Sequence, residues 1–83
     1  MKQDNNSVLM FAVCVNNSSY PASLERHKIY RVLPDVDAVV DGDLRIIDES
    51  GEDYLYPADY FLLLDLPRDT EHILDNLFAR TKR

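Results

Sequence analysis

Apolar residues fall into short runs of strand length, separated by clusters of turn-forming residues. Val8 to Val15 (VLMFAVCV) contains no polar residue and is rich in β-branched and aromatic side chains, which predicts a central strand covered on both faces. Asn16, Asn17, Ser18 and Ser19 end that run, and Tyr20 before Pro21 keeps the backbone extended at the corner. In the next stretch Leu24, His27, Lys28 and Arg31 have helical spacing, but the alternation from Lys28 to Leu33 predicts a strand, with a turn at Ser23 to His27. Tyr30 and Val32 are expected in the core, with Ile29, Arg31 and Leu33 on the other face. Pro34 to Asp43 reads as an acidic loop with one helical turn at Val36 to Val40. Leu44 to Asp48 and Asp53 to Tyr56 then pair about Glu49 to Glu52, where Gly51 supplies the positive φ of the turn. Pro57 ends the fourth strand, residues 57–60 suit one turn of 3₁₀-helix, and Phe61 to Leu66 resumes as a strand.

From Pro67 onward the period changes. Ile73, Leu74, Leu77 and Phe78 recur at helical spacing, Asp69 is placed to cap the N-terminus with Glu71 in the first turn, and Arg80, Lys82 and Arg83 complement the helix dipole at the other end. The apolar face of this helix must pack either on one end of the strand assembly or on a partner.

Two segments of this pattern match a known family. Gly51 to Phe61 (GEDYLYPADYF) resembles the end of SH3 domains. It has a glycine turn, an apolar strand, then proline, two small or polar residues, tyrosine and an apolar residue opening the last strand, here Pro57, Ala58, Asp59, Tyr60 and Phe61. The segment SLERHKIYRVLPD is similar to the leucine, turn and K-x-Y-x-V pattern of many small bacterial SH3-like proteins of uncharacterised function, with His27 where that pattern usually has glycine. The resemblance, which covers 8–66, implies a mainly β fold, a small five-stranded SH3-like barrel with a one-turn 3₁₀-helix before the last strand; the residue pattern adds an appended C-terminal α-helix over 67–83 and a flexible N-terminus at 1–7. In peptide-binding SH3 domains the proline and tyrosine of the late motif line a groove for polyproline II ligands, which corresponds to Pro57 and Tyr60 here. The chain has no tryptophan, and Val13, Cys14, Val15 and Asn16 stand where the paired-tyrosine motif occurs. The resemblance therefore implies an interaction module without the usual proline-rich specificity.

Charge narrows the choice of partner. The net charge is -6 over 83 residues, and the stretch from Pro34 to Asp65 holds ten acidic residues against Arg45 alone. Such a middle repels phosphate backbones. The alternative nucleic-acid reading rests on Arg26, Lys28 and Arg31 gathering with Arg80, Lys82 and Arg83; a third reading makes the acidic surface a nucleic-acid mimic. The apolar runs are far shorter than the ~20 residues of a membrane-spanning helix, and no secretory pattern follows the first seven residues, so the expected location is cytoplasmic. Cys14, the single cysteine, is expected as a small hydrophobe within a strand.

No catalytic, metal or cofactor signature is present. The aspartates of 34–43 fail the EF-hand spacing: counted from Asp37, Gly42 is sixth but Val39 and Asp48 are third and twelfth. His27 and His72 have no nucleophile pattern near them, and two glycines cannot build a phosphate loop. The expected entity is a non-enzymatic module, a monomer or a weak dimer through the C-terminal helix. Five tyrosines carry its candidate site. Tyr54 and Tyr56 share one face of their strand and Leu55 the other, so either Leu55 or the tyrosine pair faces the core. With Leu55 inside, Tyr54, Tyr56 and Tyr60 with Pro57 form an aromatic strip, and Asp53 and Asp59 steer a basic or aromatic protein partner to it.

Overall fold

The strand-length runs of the sequence join into one antiparallel sheet. The computed structural model describes residues 10–81. The expected flexible N-terminus at 1–7 lies outside these residues, as do Val8, Leu9, Lys82 and Arg83. The elements in order are β1 (Met10–Cys14), β2 (Ile29–Leu33), α1 (Val36–Val40), β3 (Asp43–Ile47), β4 (Asp53–Pro57), a 3₁₀ turn (Ala58–Tyr60), β5 (Phe61–Leu64) and α2 (Arg68–Thr81). The strand order is β4-β3-β2-β1-β5, and every neighbouring pair is antiparallel.

That order imposes a shape. Strands β4 and β5 are the two edges of the sheet, yet only the 3₁₀ turn joins them. Four Cα steps from Pro57 to Phe61 reach at most about 14 Å, whereas the edges of a flat five-stranded sheet lie about 19 Å apart. The sheet must coil, and it does: the rings of Tyr56 on β4 and Phe61 on β5 meet edge to face at 6.3 Å.

The concave face carries the core. Ala12, Cys14, Tyr30, Val32, Leu44, Ile46, Tyr56 and Phe61 are buried there together with Leu24 from the β1–β2 loop. Tyr30 and Val32 point inward as their alternation predicts, and Cys14 is a buried free thiol that burial pushes upward in pKa. On the convex face Phe11 is equally buried, because α2 lies over it and brings the Phe78 ring to 5.5 Å. Covered by the core on one side and by α2 on the other, β1 has no polar position, as the unbroken run requires. The helix thus packs on the outer face of the sheet rather than across one end. Asp75 of α2 pairs with Arg31 of β2, Leu74 is half-buried, and Ile73 and Leu77 remain exposed. It begins at Arg68, so Asp69 and Glu71 sit inside its first turn and act on the dipole rather than as a cap. No helix among the described residues is long and apolar enough to cross a membrane.

Turn chemistry fixes the connections. Gly42 and Gly51 take φ of +83° and +84° after α1 and in the β3–β4 hairpin, and His27 takes +73° in the turn that leads into β2. Its N–H donates to the Cys14 carbonyl at 2.6 Å, which holds the left-handed conformation despite the Cβ. Asp35 caps α1 by accepting from Ala38 N–H at 3.0 Å, and its other oxygen takes the Arg45 guanidinium at 2.7 Å.

Two stability predictions follow from these contacts. Leu24→Ala leaves a cavity where the loop enters the core and is expected to cost about 3 kcal/mol in denaturant unfolding. His27→Gly relieves a left-handed non-glycine residue and should raise stability by about 1 kcal/mol; a loss instead would mean that the histidine side chain contributes more than its backbone costs.

Candidate functional site

The β1–β2 loop reaches both the β3–β4 hairpin, through Glu49 N–H to the Ser23 carbonyl, and the 3₁₀ turn, through Val15 N–H to the Tyr60 carbonyl, and tyrosines make the joints. Tyr56 is 4% exposed. Its hydroxyl donates to Asp48 Oδ2 at 2.6 Å and lies 2.9 Å from Ser23 Oγ, whose proton it accepts, having only one of its own to give. The Tyr20 ring stands edge-on over Tyr56 at 4.9 Å and meets Tyr60 at 6.0 Å. Tyr60 in turn is tied to the loop, its hydroxyl donating to Ser19 Oγ at 2.9 Å and its carbonyl accepting from Val15 N–H at 2.8 Å.

A second polar joint lies beside the first. The Tyr30 hydroxyl donates to Glu49 Oε2 and accepts from Glu25 N–H at 2.7 Å, while Lys28 Nζ reaches the same carboxylate at 2.7 Å. Burial and the neighbouring Glu49 carboxylate push the Tyr30 hydroxyl well above its ordinary pKa. Burial and Asp48 raise that of Tyr56 in the same way. Asp48 itself is buried, which alone would raise its pKa; the hydroxyls of Ser50 and Tyr56 and the Ser50 N–H outweigh this and hold it below the usual carboxylate range. For Glu49 burial is likewise outweighed, by Lys28 and Tyr30.

These contacts rearrange the aromatic strip expected from the sequence. Leu55 does not face the core: it is 45% exposed, and it lies on the convex face opposite Arg45. The tyrosine pair shares the concave face instead, but only Tyr56 reaches the core. Tyr54, at the mouth of the hairpin, is 50% exposed and donates to Glu52 Oε1 at 3.1 Å. Tyr56 is therefore a pillar beneath the surface rather than contact area upon it. Asp53 is already engaged, accepting from Arg45 Nη1 at 2.9 Å. Pro57 and Tyr60 are partly exposed, and Asp59 between them is exposed with no side-chain partner among the described residues. The aromatic surface that the fold assembles is thus Tyr20 with Tyr60, Tyr20 standing over buried Tyr56, while Pro57 and Asp59 adjoin it along the chain just before Tyr60. Tyr20 is the member that sequence reading left out; its only signal there was its place before Pro21 in a turn cluster.

Two members of the basic group of the alternative reading are engaged within the fold. Lys28 is paired with Glu49 and Arg31 with Asp75, and the side chain of Arg80 lies outside those described, with Lys82 and Arg83. Among the described residues no three His, Cys, Asp or Glu side chains come together as a metal site. No protein-family model, curated protein or solved structure matches the chain.

The Asp48 joint gives a pH dependence of definite sign. Its folded pKa lies below the unfolded one, so the stability it contributes is fully present above the unfolded value and is lost as pH falls from about 4 through the lower folded value. Glu49 adds in the same direction. Asp48→Asn is expected to lose about 1–3 kcal/mol near neutral pH and to flatten the acid limb of a plot of Tm against pH. An acid limb as steep as that of the wild type would remove Asp48 from this role.

Proposed function

We propose that the chain is a non-enzymatic interaction module of SH3-like type, which docks a basic or aromatic-bearing protein segment on the surface of Tyr20, Tyr60 and Pro57. The fold assignment is supported by the antiparallel order β4-β3-β2-β1-β5, with a 3₁₀ turn between the two edge strands, together with the PADYF motif. The observation that carries the functional reading is the aromatic cluster. Tyr20 and Tyr60, from distant parts of the chain, meet edge to face at the surface, and Tyr20 stands on the buried Tyr56. Rigid aromatic groups give contact area at little conformational cost, and their hydroxyl tips remain able to bond a partner.

Electrostatics favours a cationic ligand. Asp59 lies next to Tyr60, Asp43 lies across the β3–β4 ladder from Pro57, and neither carboxylate has a side-chain partner among the described residues. Lysine or arginine stacked on the tyrosine faces beside these groups would gain both cation–π and charge attraction. The nucleic-acid alternative is weakened by the pairing of Lys28 and Arg31. A soluble protein acting in the cytoplasm is the setting in which this reading is made.

Affinity capture from the native cell, followed by titration of the captured partner into the ¹⁵N-labelled protein, tests the reading. Tyr60→Ala is expected to weaken the partner by tenfold or more and Tyr54→Ala to leave it unchanged, with shifts confined to residues around Tyr20, Pro57 and Asp59 and with affinity falling as salt rises. Capture of the same partners at equal strength by the wild type and a Tyr20→Ala, Tyr60→Ala double variant would overturn it.

A further inference from the structure

We propose that β5 pairs antiparallel with β5 of a second copy of this chain, about a two-fold axis through Leu63, and that this edge is distinct from the tyrosine surface. The backbone pattern defines the pairing. Val15 N–H donates to the Tyr60 carbonyl, and Val13 and Phe11 stand opposite Leu62 and Leu64. In an antiparallel ladder such pairs alternate, so Leu62 and Leu64 turn their backbone groups inward to β1, and Leu63 turns its N–H and C=O outward from the sheet. Two copies related by a two-fold axis at Leu63 exchange both of these hydrogen bonds. The same operation sets Leu62 of one copy opposite Leu64 of the other on the convex face, and Asp65 opposite Phe61, so that no acid faces its own mate.

The side chains match this use. Leu62 and Leu63 are 60% and 57% exposed although they sit in a strand. Phe61 to Leu64 carries none of the charges, prolines or bulges that ordinarily blunt an edge. On α2 the exposed Ile73 and Leu77 lie on the flank opposite Asp75, which pairs with β2; β5 lies on the other side of β1 from β2.

The occupant is a second copy because the edge is complementary to itself and Phe61 to Leu64 form a four-residue uncharged stretch within the acidic middle of the chain. The four aliphatic side chains expose on the order of 400 Å². A standard interface buries about 800 Å² per partner, so the dimer is a weak one, with a Kd of about 10 µM to 1 mM.

Sedimentation equilibrium of the full chain across that range should show a reversible monomer–dimer equilibrium. Leu63→Pro removes the outward donor without touching the β1 ladder, and Leu62→Lys places like charges across the axis; each should weaken dimerisation at least tenfold while circular dichroism stays that of the wild type. In a Cys14→Ala background, Leu63→Cys should oxidise readily to a disulfide dimer, because the hydrogen-bonded pair sets the two Cα atoms about 5.5 Å apart, and Leu55→Cys on the other edge should not. The proposal fails if the chain stays monomeric to about 1 mM, if a dimer forms that ignores both Leu62 and Leu63, or if dimers appear only after residues 1–7 are deleted. The last outcome would make the chain's own N-terminus the occupant of the edge.

Discussion

Three residues carry the chain from one edge of the sheet to the other, and the rest of the structure depends on how few they are. Ala58, Asp59 and Tyr60 cannot span a flat sheet, so the strands coil, and coiling creates the concave face on which a chain of 83 residues can bury a core. The turn is itself anchored: Ala58 N–H donates to the Gly42 carbonyl at 2.9 Å, which ties it to the end of α1, and Tyr60 ties it to the β1–β2 loop. A longer connection would relax the coil and separate Tyr56 from Phe61. Pro57 contributes by fixing its own φ where β4 ends, so that the chain leaves the edge in a defined direction.

A core this small leaves the long β1–β2 loop to be held by polar contacts. Successive hairpin residues, Asp48 and Glu49, take different tyrosine hydroxyls, and each joint reaches back to the loop, through Ser23 in one case and through Glu25 and Lys28 in the other. Glu49 N–H also donates to the Ser23 carbonyl at 3.1 Å. Carboxylates are costly to bury, but both oxygens of buried Asp48 find donors and Glu49 Oε2 takes two, and such a satisfied network fixes one arrangement where apolar contact alone would allow several. Much of the acidity of the middle of the chain is therefore architectural. Asp35 and Asp53 hold Arg45, Asp48 and Glu49 hold tyrosines, and the charge left for a partner is carried by groups such as Asp59 and Asp43.

The parts of this arrangement visible in the sequence are those set by local pattern. The apolar run of β1, the alternation of β2, the helical turn at Val36–Val40, Gly51 in the hairpin and the 3₁₀ turn after Pro57 all depend on neighbours within a few residues. The left-handed conformation of His27 is set by a distant partner, the Cys14 carbonyl that accepts from its N–H, rather than by its own chemistry. The candidate site depends on distance in the chain. Period-two alternation places Tyr54 and Tyr56 on one face, but it cannot say that the core ends between them, because that limit is set by where the loop carrying Leu24 and Ser23 crosses the hairpin. For the same reason Asp48 reads as a solvated turn residue, and Tyr20 reads as part of a polar corner until Tyr56 is brought beneath it and Tyr60 beside it. The docking of α2 on the convex face was written in the polarity of β1, whose two faces are equally apolar, although the helix pattern alone does not choose between face and end.

The two edges of the sheet differ in ways that bear on how the surface is divided. Strand β4 ends in a proline, which cannot donate to a further strand, and its convex face carries the Arg45 ion pairs with Asp35 and Asp53. Strand β5 has neither feature, and it starts directly after Tyr60. The carbonyl of Tyr60 accepts from both Val15 and Asn16, at 2.8 and 3.3 Å, so the aromatic surface and the first residue of β5 are fixed by the same hydrogen bonds. A strand added to β5 would extend the ladder whose first rung holds Tyr60 in place, and it would do so without covering the ring. The proposed pairing at this edge and the proposed docking surface are thus compatible on one small sheet, because the N–H and C=O of Leu63 point away from β1 while Tyr60 is tied to the β1–β2 loop.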